Sequence, residues 1–226
     1  MTSRWVSFDC YGTLVDWLSG FSLILEPVAG KLTGKLLDAY HHHERLVETE
    51  RPLRSYKEVL ALSLSRGASE LGLALTEAEA NVLSKEWHRL PVFEDVEPML
   101  AELRSAGWKL AVLTNCDEDL FATTRNRLPV PFDAWVTAEE VRGYKPELAH
   151  FRRFAEKTGV TRADWIHVAN SWVLDILPSA RMGLRCVWVD RDLTGHPAKL
   201  ADRRITSMRR LPEAVMDVNA FPPRGQ

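Results

Sequence analysis

Four short apolar runs, none alternating with polar residues and each followed by a stretch of helical spacing, constrain this chain more than any other feature. They are Trp5 to Phe8, Leu110 to Leu113 within WKLAVLTN, Trp165 to Val168 within DWIHVAN, and Cys186 to Val189 within LRCVWVDR, with a weaker run at Ala134 to Val136. A strand covered by helices on both faces has no wet side and need not alternate, whereas a strand with one wet face must. The pattern predicts an α/β fold built on a parallel sheet.

Between the first run and the second lie roughly ninety residues with almost no strand signal, including LDAYHHHERLVETERPLRSYKEVLALSLSRGASELGL and TEAEANVLSKEWHRL, far more than a crossover between parallel strands needs. Apolar residues recur there at helical intervals. Residues 17–92 therefore read as an inserted helical subdomain closed by Pro91, with residues 1–16 and 93–226 forming the core. A helix over Val96 to Ala106 returns the chain to the sheet, and the tail AFPPRGQ is expected to fray. The chain shows no internal repeat and no low-complexity segment.

Composition narrows the function. With 29 Lys+Arg against 31 Asp+Glu the net charge is −2, which provides no basic field for a nucleic-acid backbone. Cys10, Cys116 and Cys186 lie in or beside apolar runs without the paired spacing of a disulfide framework or metal site, so a reduced, cytoplasmic setting is expected. No apolar run reaches the length of about 18 residues that spans a bilayer, and no signal peptide is recognisable, so no membrane association is expected.

In open α/β sheets the chemistry gathers at the carboxyl ends of the strands. Here Asp9 follows the first run, Thr114 and Asn115 end the second, and Asn170 and Ser171 follow the DWIHVA run, with Asp175 a little beyond. Lys145 stands in GYKPE just before a helix. Singly each residue suits a turn or a helix cap as well as a reaction. In this order they form a set.

That set, running from FDCYGTL through VLTN and YKPE to HVANSWVLD, resembles the haloacid dehalogenase superfamily. The resemblance implies a Rossmann-like parallel sheet core with a helical cap inserted after the first motif, and a hydrolase in which Asp9 attacks the substrate, becomes an ester and is released by water. It implies hydrogen bonds to Asp9 from Thr13, Thr114 and Asn115, and a role for Asp175 in orienting or deprotonating that water. A neighbouring cation lowers a carboxylate pKa by about 1 to 3, so Lys145 is expected to keep Asp9 ionised.

Tyr11 selects the branch. Phosphatases of the superfamily carry a second aspartate two residues after the first, which protonates the leaving alkoxide; a halide needs no proton, and FDCYGT resembles the L-2-haloacid dehalogenase branch. FDCYGTLVDW also resembles a hydrolase of azetidine-2-carboxylate, where a ring C–N bond breaks, so the leaving group stays open. Asn170 in place of an acid weakens the charge balance for Mg²⁺, and no cofactor or essential metal is expected. A small 2-substituted carboxylic acid is the expected substrate. A Mg²⁺-dependent phosphatase and a catalytically idle member are the alternatives.

The resemblance also implies a cap arginine over the substrate, at a position falling nearest His42 in YHHHER with Arg45 one turn along, and a tyrosine and an asparagine where this chain has Phe151 and Trp172. Trp17, directly after the Asp9 loop, is expected to line the pocket. Consecutive residues on a helix point about 100° apart, so His41, His42 and His43 cannot all face one ion. Relatives of this kind are often homodimers through the cap, which makes a homodimer possible here.

Overall fold

The computed structural model describes residues 3–220; the end of the predicted frayed tail, residues 221–226, lies outside them. Six parallel strands form one sheet: β1 (Trp5–Phe8), β2 (Lys109–Thr114), β3 (Ala134–Thr137), β4 (Trp165–Ala169), β5 (Arg185–Val189) and β6 (Arg203–Ile205), in the order β3-β2-β1-β4-β5-β6. The five predicted strands are present, each extended by a residue or two at most. β6 went unread because Arg203 and Arg204 are exposed and only Ile205 is buried, as suits a short edge strand.

The helices are α1 (Trp17–Ala29), α2 (Thr33–Val47), α3 (Tyr56–Glu70), the single turns α4 (Glu77–Ala80) and α5 (Val82–Lys85), then α6 (Val96–Ser105), α7 (Glu118–Arg125), α8 (Ala138–Val141), α9 (Ala149–Thr158), α10 (Leu177–Arg181) and α11 (Leu211–Asn219). Alternation along the strands divides the core between two faces. Val6, Phe8, Ile166 and Val168 pack with Leu100 and Leu103 of α6 and Val215 of α11, while Trp5, Leu113 and Trp165 pack with Phe151 and Phe154 of α9. Both faces are dry, which is why the runs do not alternate.

Apart from isolated bridges at Tyr11 and Val15, the regular structure from β1 to residue 90 is helical. The chain leaves and returns through paired antiparallel segments: Asp16 N donates to the Pro91 carbonyl (2.8 Å) and Phe93 N to the Leu14 carbonyl (3.0 Å). Asp95 pins the returning segment, its carboxylate accepting from Arg191 (2.8 and 3.0 Å), Ser207 Oγ (2.8 Å) and Met208 N (2.9 Å). Within the insertion, Phe21, Ile24, Leu36, Tyr40, Val59, Leu60 and Leu64 close a core continuous with that of the sheet. Gly67 allows α3 to approach α2, since a Cβ there would come within 2.9 Å of Tyr40 N.

The insertion docks on the carboxyl ends of the strands. The first turn of α3 donates from Tyr56 N and Lys57 N to the two oxygens of Asp117 (2.8 and 2.9 Å), in the loop after β2. Trp87 Nε1 donates to Tyr11 Oη (3.0 Å), and Tyr144 Oη to the Arg54 carbonyl (2.8 Å). No helix among the described residues is long and apolar enough to cross a membrane.

Candidate active site

β1 hands over to Asp9 while still bonded to β4, since Asp9 N donates to the Val168 carbonyl (3.0 Å). The chain then turns sharply. Thr13, Leu14 and Val15 all donate their N–H to the Cys10 carbonyl. Gly12 sits at φ +95°, in the region that favours glycine, with Trp17 Nε1 3.4 Å and Asn170 Nδ2 3.5 Å from where a Cβ would stand. This loop brings Thr13 back under Asp9: its hydroxyl donates to Asp9 Oδ2 (2.8 Å) and accepts from Asn170 N (2.9 Å). Arg191 donates to the Thr13 carbonyl (3.0 Å), tying the loop to the returning segment that Asp95 pins.

Lys145 completes the centre. Its ammonium donates to Asp9 Oδ1 (2.8 Å), Asp175 Oδ1 (2.7 Å) and the Leu113 carbonyl (3.0 Å), so all three of its hydrogens are used. Asp9 is 7% exposed, Lys145 1% and Asp175 0%. Asp175 lies in one turn of π-helix, Trp172–Ile176, a geometry that recurs at functional sites.

One cation thus serves two buried acids. Burial raises the Asp9 carboxyl, and Lys145 opposes that rise without cancelling it. This reverses the expected direction: burial outweighs Lys145, and the charge of Asp175 pushes Asp9 up further. Asp175 is buried too, yet Lys145 and His167 together hold it below the usual carboxylate range. The ammonium of Lys145, penalised by burial, is raised by its two carboxylates and stays charged. The arrangement offers an acid held on both oxygens with its edge toward solvent, beside a second acid that remains ionised.

The remaining predicted residues divide. Trp17 lies beside the Asp9 loop, packed on Phe21 and His41. Asn115 is near, but it holds the lysine rather than Asp9: its Oδ1 accepts from Lys145 N (2.8 Å) and its Nδ2 donates to the Lys145 carbonyl (3.2 Å) and to Glu48 Oε1 (3.4 Å). The expected bond from Thr114 to Asp9 is not made. Lys145, anchored on the carbonyl of Leu113, stands against that oxygen, and the Thr114 hydroxyl turns to Cys116 Sγ (3.6 Å). The Asn170 amide also turns away, to Asp192 Oδ2 (2.9 Å) and Arg191 N (3.3 Å), leaving only its N–H for Thr13. Tyr11 is a strut, its hydroxyl meeting Thr124 Oγ1 (2.9 Å) and Trp87 Nε1 (3.0 Å).

His42 and Arg45 are both exposed. The buried face of α2 runs through Leu36, Leu37, Tyr40 and Val47, and positions 42 and 45 lie about 200° and 140° from Tyr40 around the helix. The inner side of this helix carries acids instead. Glu44 Oε1 accepts from Tyr40 Oη (2.7 Å) and Tyr56 Oη (2.6 Å), and Glu48 reaches Asn115, its carboxyl pushed well above the usual range by burial and by Glu44. The three histidine rings diverge: His41 meets Glu44 (3.1 Å), His43 meets Glu70 (2.8 Å), and His42 lies against the ring of His43. Phe151 and Trp172 are absorbed by packing, against Trp165 and His167 in one case and Trp188 and His196 in the other.

Sequence reasoning missed Glu48, Asp117, Ser7 and His167. The last two had a visible signal: a serine and a histidine inside otherwise apolar runs, at positions that need partners when buried.

Comparison with known proteins agrees with this geometry. Residues 8–189 match the family described as haloacid dehalogenase-like hydrolase. The (S)-2-haloacid dehalogenase of a Pseudomonas species is 26% identical over 220 residues, covering 92% of this chain and 92% of that protein. The phosphoserine phosphatase of Thermus thermophilus is 31% identical over 172 residues, covering 74% of this chain and 66% of that protein. The structure of an L-2-haloacid dehalogenase from Xanthobacter autotrophicus has a TM-score of 0.81 over 95% of this chain and 99% of that one, at 22% identity, a likeness of fold.

Proposed function

The chain belongs to the haloacid dehalogenase-like hydrolases, and we propose that it hydrolyses a small 2-substituted carboxylic acid by covalent attack of Asp9 on carbon, breaking a carbon–halogen or related C–N bond. An Asp9 oxygen bonds to C2 as the leaving group departs with its electron pair. Water then adds at the Asp9 carboxyl carbon as Asp175 takes its proton. The bond to the substrate oxygen breaks, that oxygen receives the proton to give the 2-hydroxy acid, and Asp9 returns to a carboxylate by releasing its own proton to solvent.

The observation that carries this reading is Tyr11. Two residues after Asp9 stands a phenol fixed by Thr124 and Trp87 and pushed well above its ordinary range by burial, so that position has no acid to protonate an alkoxide. A halide needs none. The oxygen donors do not fit Mg²⁺ either. Both Asp9 oxygens and one Asp175 oxygen are occupied by Lys145, Thr13 and His167, and the Asn170 amide by Asp192 and Arg191. A hard cation asks for six oxygens in near-octahedral array.

Residues 17–92 act as a cap over Asp9, supported by the contacts of Trp87, Tyr56 and Glu48 with the strand ends. Three buried free thiols support a cytoplasmic setting, and exposed Leu18, Leu23 and Leu46 on α1 and α2 support a homodimer through the cap.

The test is a panel of 2-haloacids, azetidine-2-carboxylate and phosphate esters, each with EDTA or added Mg²⁺, followed by a single turnover in ¹⁸O water on the best substrate. Turnover of a 2-substituted acid that survives EDTA, with solvent oxygen entering Asp9, is expected. Activity lost to chelator and restored by Mg²⁺ would transfer the assignment to a phosphatase.

A further inference from the structure

The buried face of the sheet beneath Asp175 holds a line of polar side chains that the reaction above does not use. β1 and β4 pair in parallel with Ser7 opposite His167 and Trp5 opposite Trp165, so Ser7, His167 and Trp165 share the face covered by α9. Trp165 Nε1 donates to Ser7 Oγ (2.7 Å), Ser7 Oγ meets His167 Nδ1 (2.8 Å), and His167 Nε2 meets Asp175 Oδ1 (3.0 Å). Ser7, His167 and Asp175 are wholly buried and Trp165 is 1% exposed.

Donor chemistry fixes the two ends of this line. An indole nitrogen can only donate, so Ser7 accepts from Trp165. An ionised carboxylate can only accept, so His167 Nε2 carries a hydrogen and directs it at Asp175 Oδ1. The same oxygen takes the hydrogen of Lys145 (2.7 Å), whereas Asp175 Oδ2, equally buried, has no hydrogen-bond partner among the described residues. Buried polar atoms are rarely left so. Phe151 packs edge-on against the imidazole, with ring centres 5.0 Å apart.

We propose that His167 is a positioning residue for Asp175: the Trp165–Ser7–His167 line clamps one carboxylate oxygen so that the other is presented to the water that opens the Asp9 ester. The inference rests on the reading of Asp9 and Asp175 given above. It assigns the line to one half of the reaction. Ester formation needs Asp9 and Lys145, which His167 does not touch, and ester opening needs Asp175 aimed.

The experiment compares the parent with His167→Phe, His167→Gln and Ser7→Ala in rapid quench with 2-chloropropionate, reading the adduct on the intact chain by mass and solvent ¹⁸O at Asp9. Phenylalanine fills the ring's volume without a donor, and glutamine returns an N–H near the place of Nε2. The phenylalanine variant should open the ester about 10- to 100-fold more slowly, the range typical when a supporting partner of a reactive group is lost, and accumulate adduct while forming it at close to the parent rate. Glutamine should restore most of the opening rate. Ser7→Ala, which removes the partner of Nδ1 but keeps the ring, should accumulate adduct to a smaller extent and covers the case in which the phenylalanine variant fails to fold. Slowed formation without adduct, or phenylalanine and glutamine variants equally impaired, would overturn the inference alone. A parent with no solvent label at Asp9 would overturn the underlying reading and the inference with it.

Discussion

Lys145→Met isolates what the shared ammonium does for the folded state. Methionine keeps most of the stem volume, so the loss is of charge and hydrogen bonds more than of packing. Three acceptors within 3.0 Å lose their donor, and two of them are buried carboxylates. Removing one partner of a buried ion pair destabilises by about 3–5 kcal/mol. For a chain of this size each kcal/mol moves Tm by about 2–4 °C, so the variant should melt about 6–20 °C below the parent near neutral pH. The deficit should also depend on pH. With Lys145 gone, burial and mutual repulsion raise both acids above their unfolded values of about 4. A carboxyl raised in the folded state costs stability once pH passes its unfolded value, and the full cost is reached above the folded one. The parent keeps its cation charged throughout this range, since the Lys145 ammonium is raised. Thermal unfolding followed by far-ultraviolet circular dichroism should therefore show a smaller deficit at about pH 5 than at about pH 8. A variant that melts with the parent at both, or a deficit unchanged across the range, would refute the shared-cation reading.

Two further outcomes are expected. His42→Ala and Arg45→Ala should each leave the KM for a 2-haloacid within about twofold of the parent, because exposed side chains away from the site contribute within about 0.5 kcal/mol; a tenfold rise for either would return it to the substrate pocket. The acid limb of kcat/KM should fall above the ordinary aspartate value of about 4, because burial raises Asp9, while Asp175, held low, is already ionised there; a limb at or below that value would mean that Lys145 outweighs burial after all.

The parallel sheet was legible in the sequence because burial on both faces is itself a composition, and Val6, Val112, Ile166 and Val187 state it without reference to any neighbour. The run of helices between β1 and β2 was legible for a similar reason, since no crossover needs so many residues. The set of Asp9, Lys145 and Asp175 could be named because strand ends converge in such a sheet. What the residues then do to one another was decided only by tertiary structure. The direction of the Asp9 shift depends on how deeply its carboxyl is buried and on Lys145 and Asp175 standing beside it, which no local pattern contains. The facing of His42 and Arg45 depends on which side of α2 meets α3, and there Leu36, Leu37, Tyr40 and Val47 outweigh any polar preference. The line from Trp165 to Asp175 exists only because β1 and β4 pair in the one register that sets Ser7 opposite His167. A slip of one residue would turn these side chains to the opposite face of the sheet.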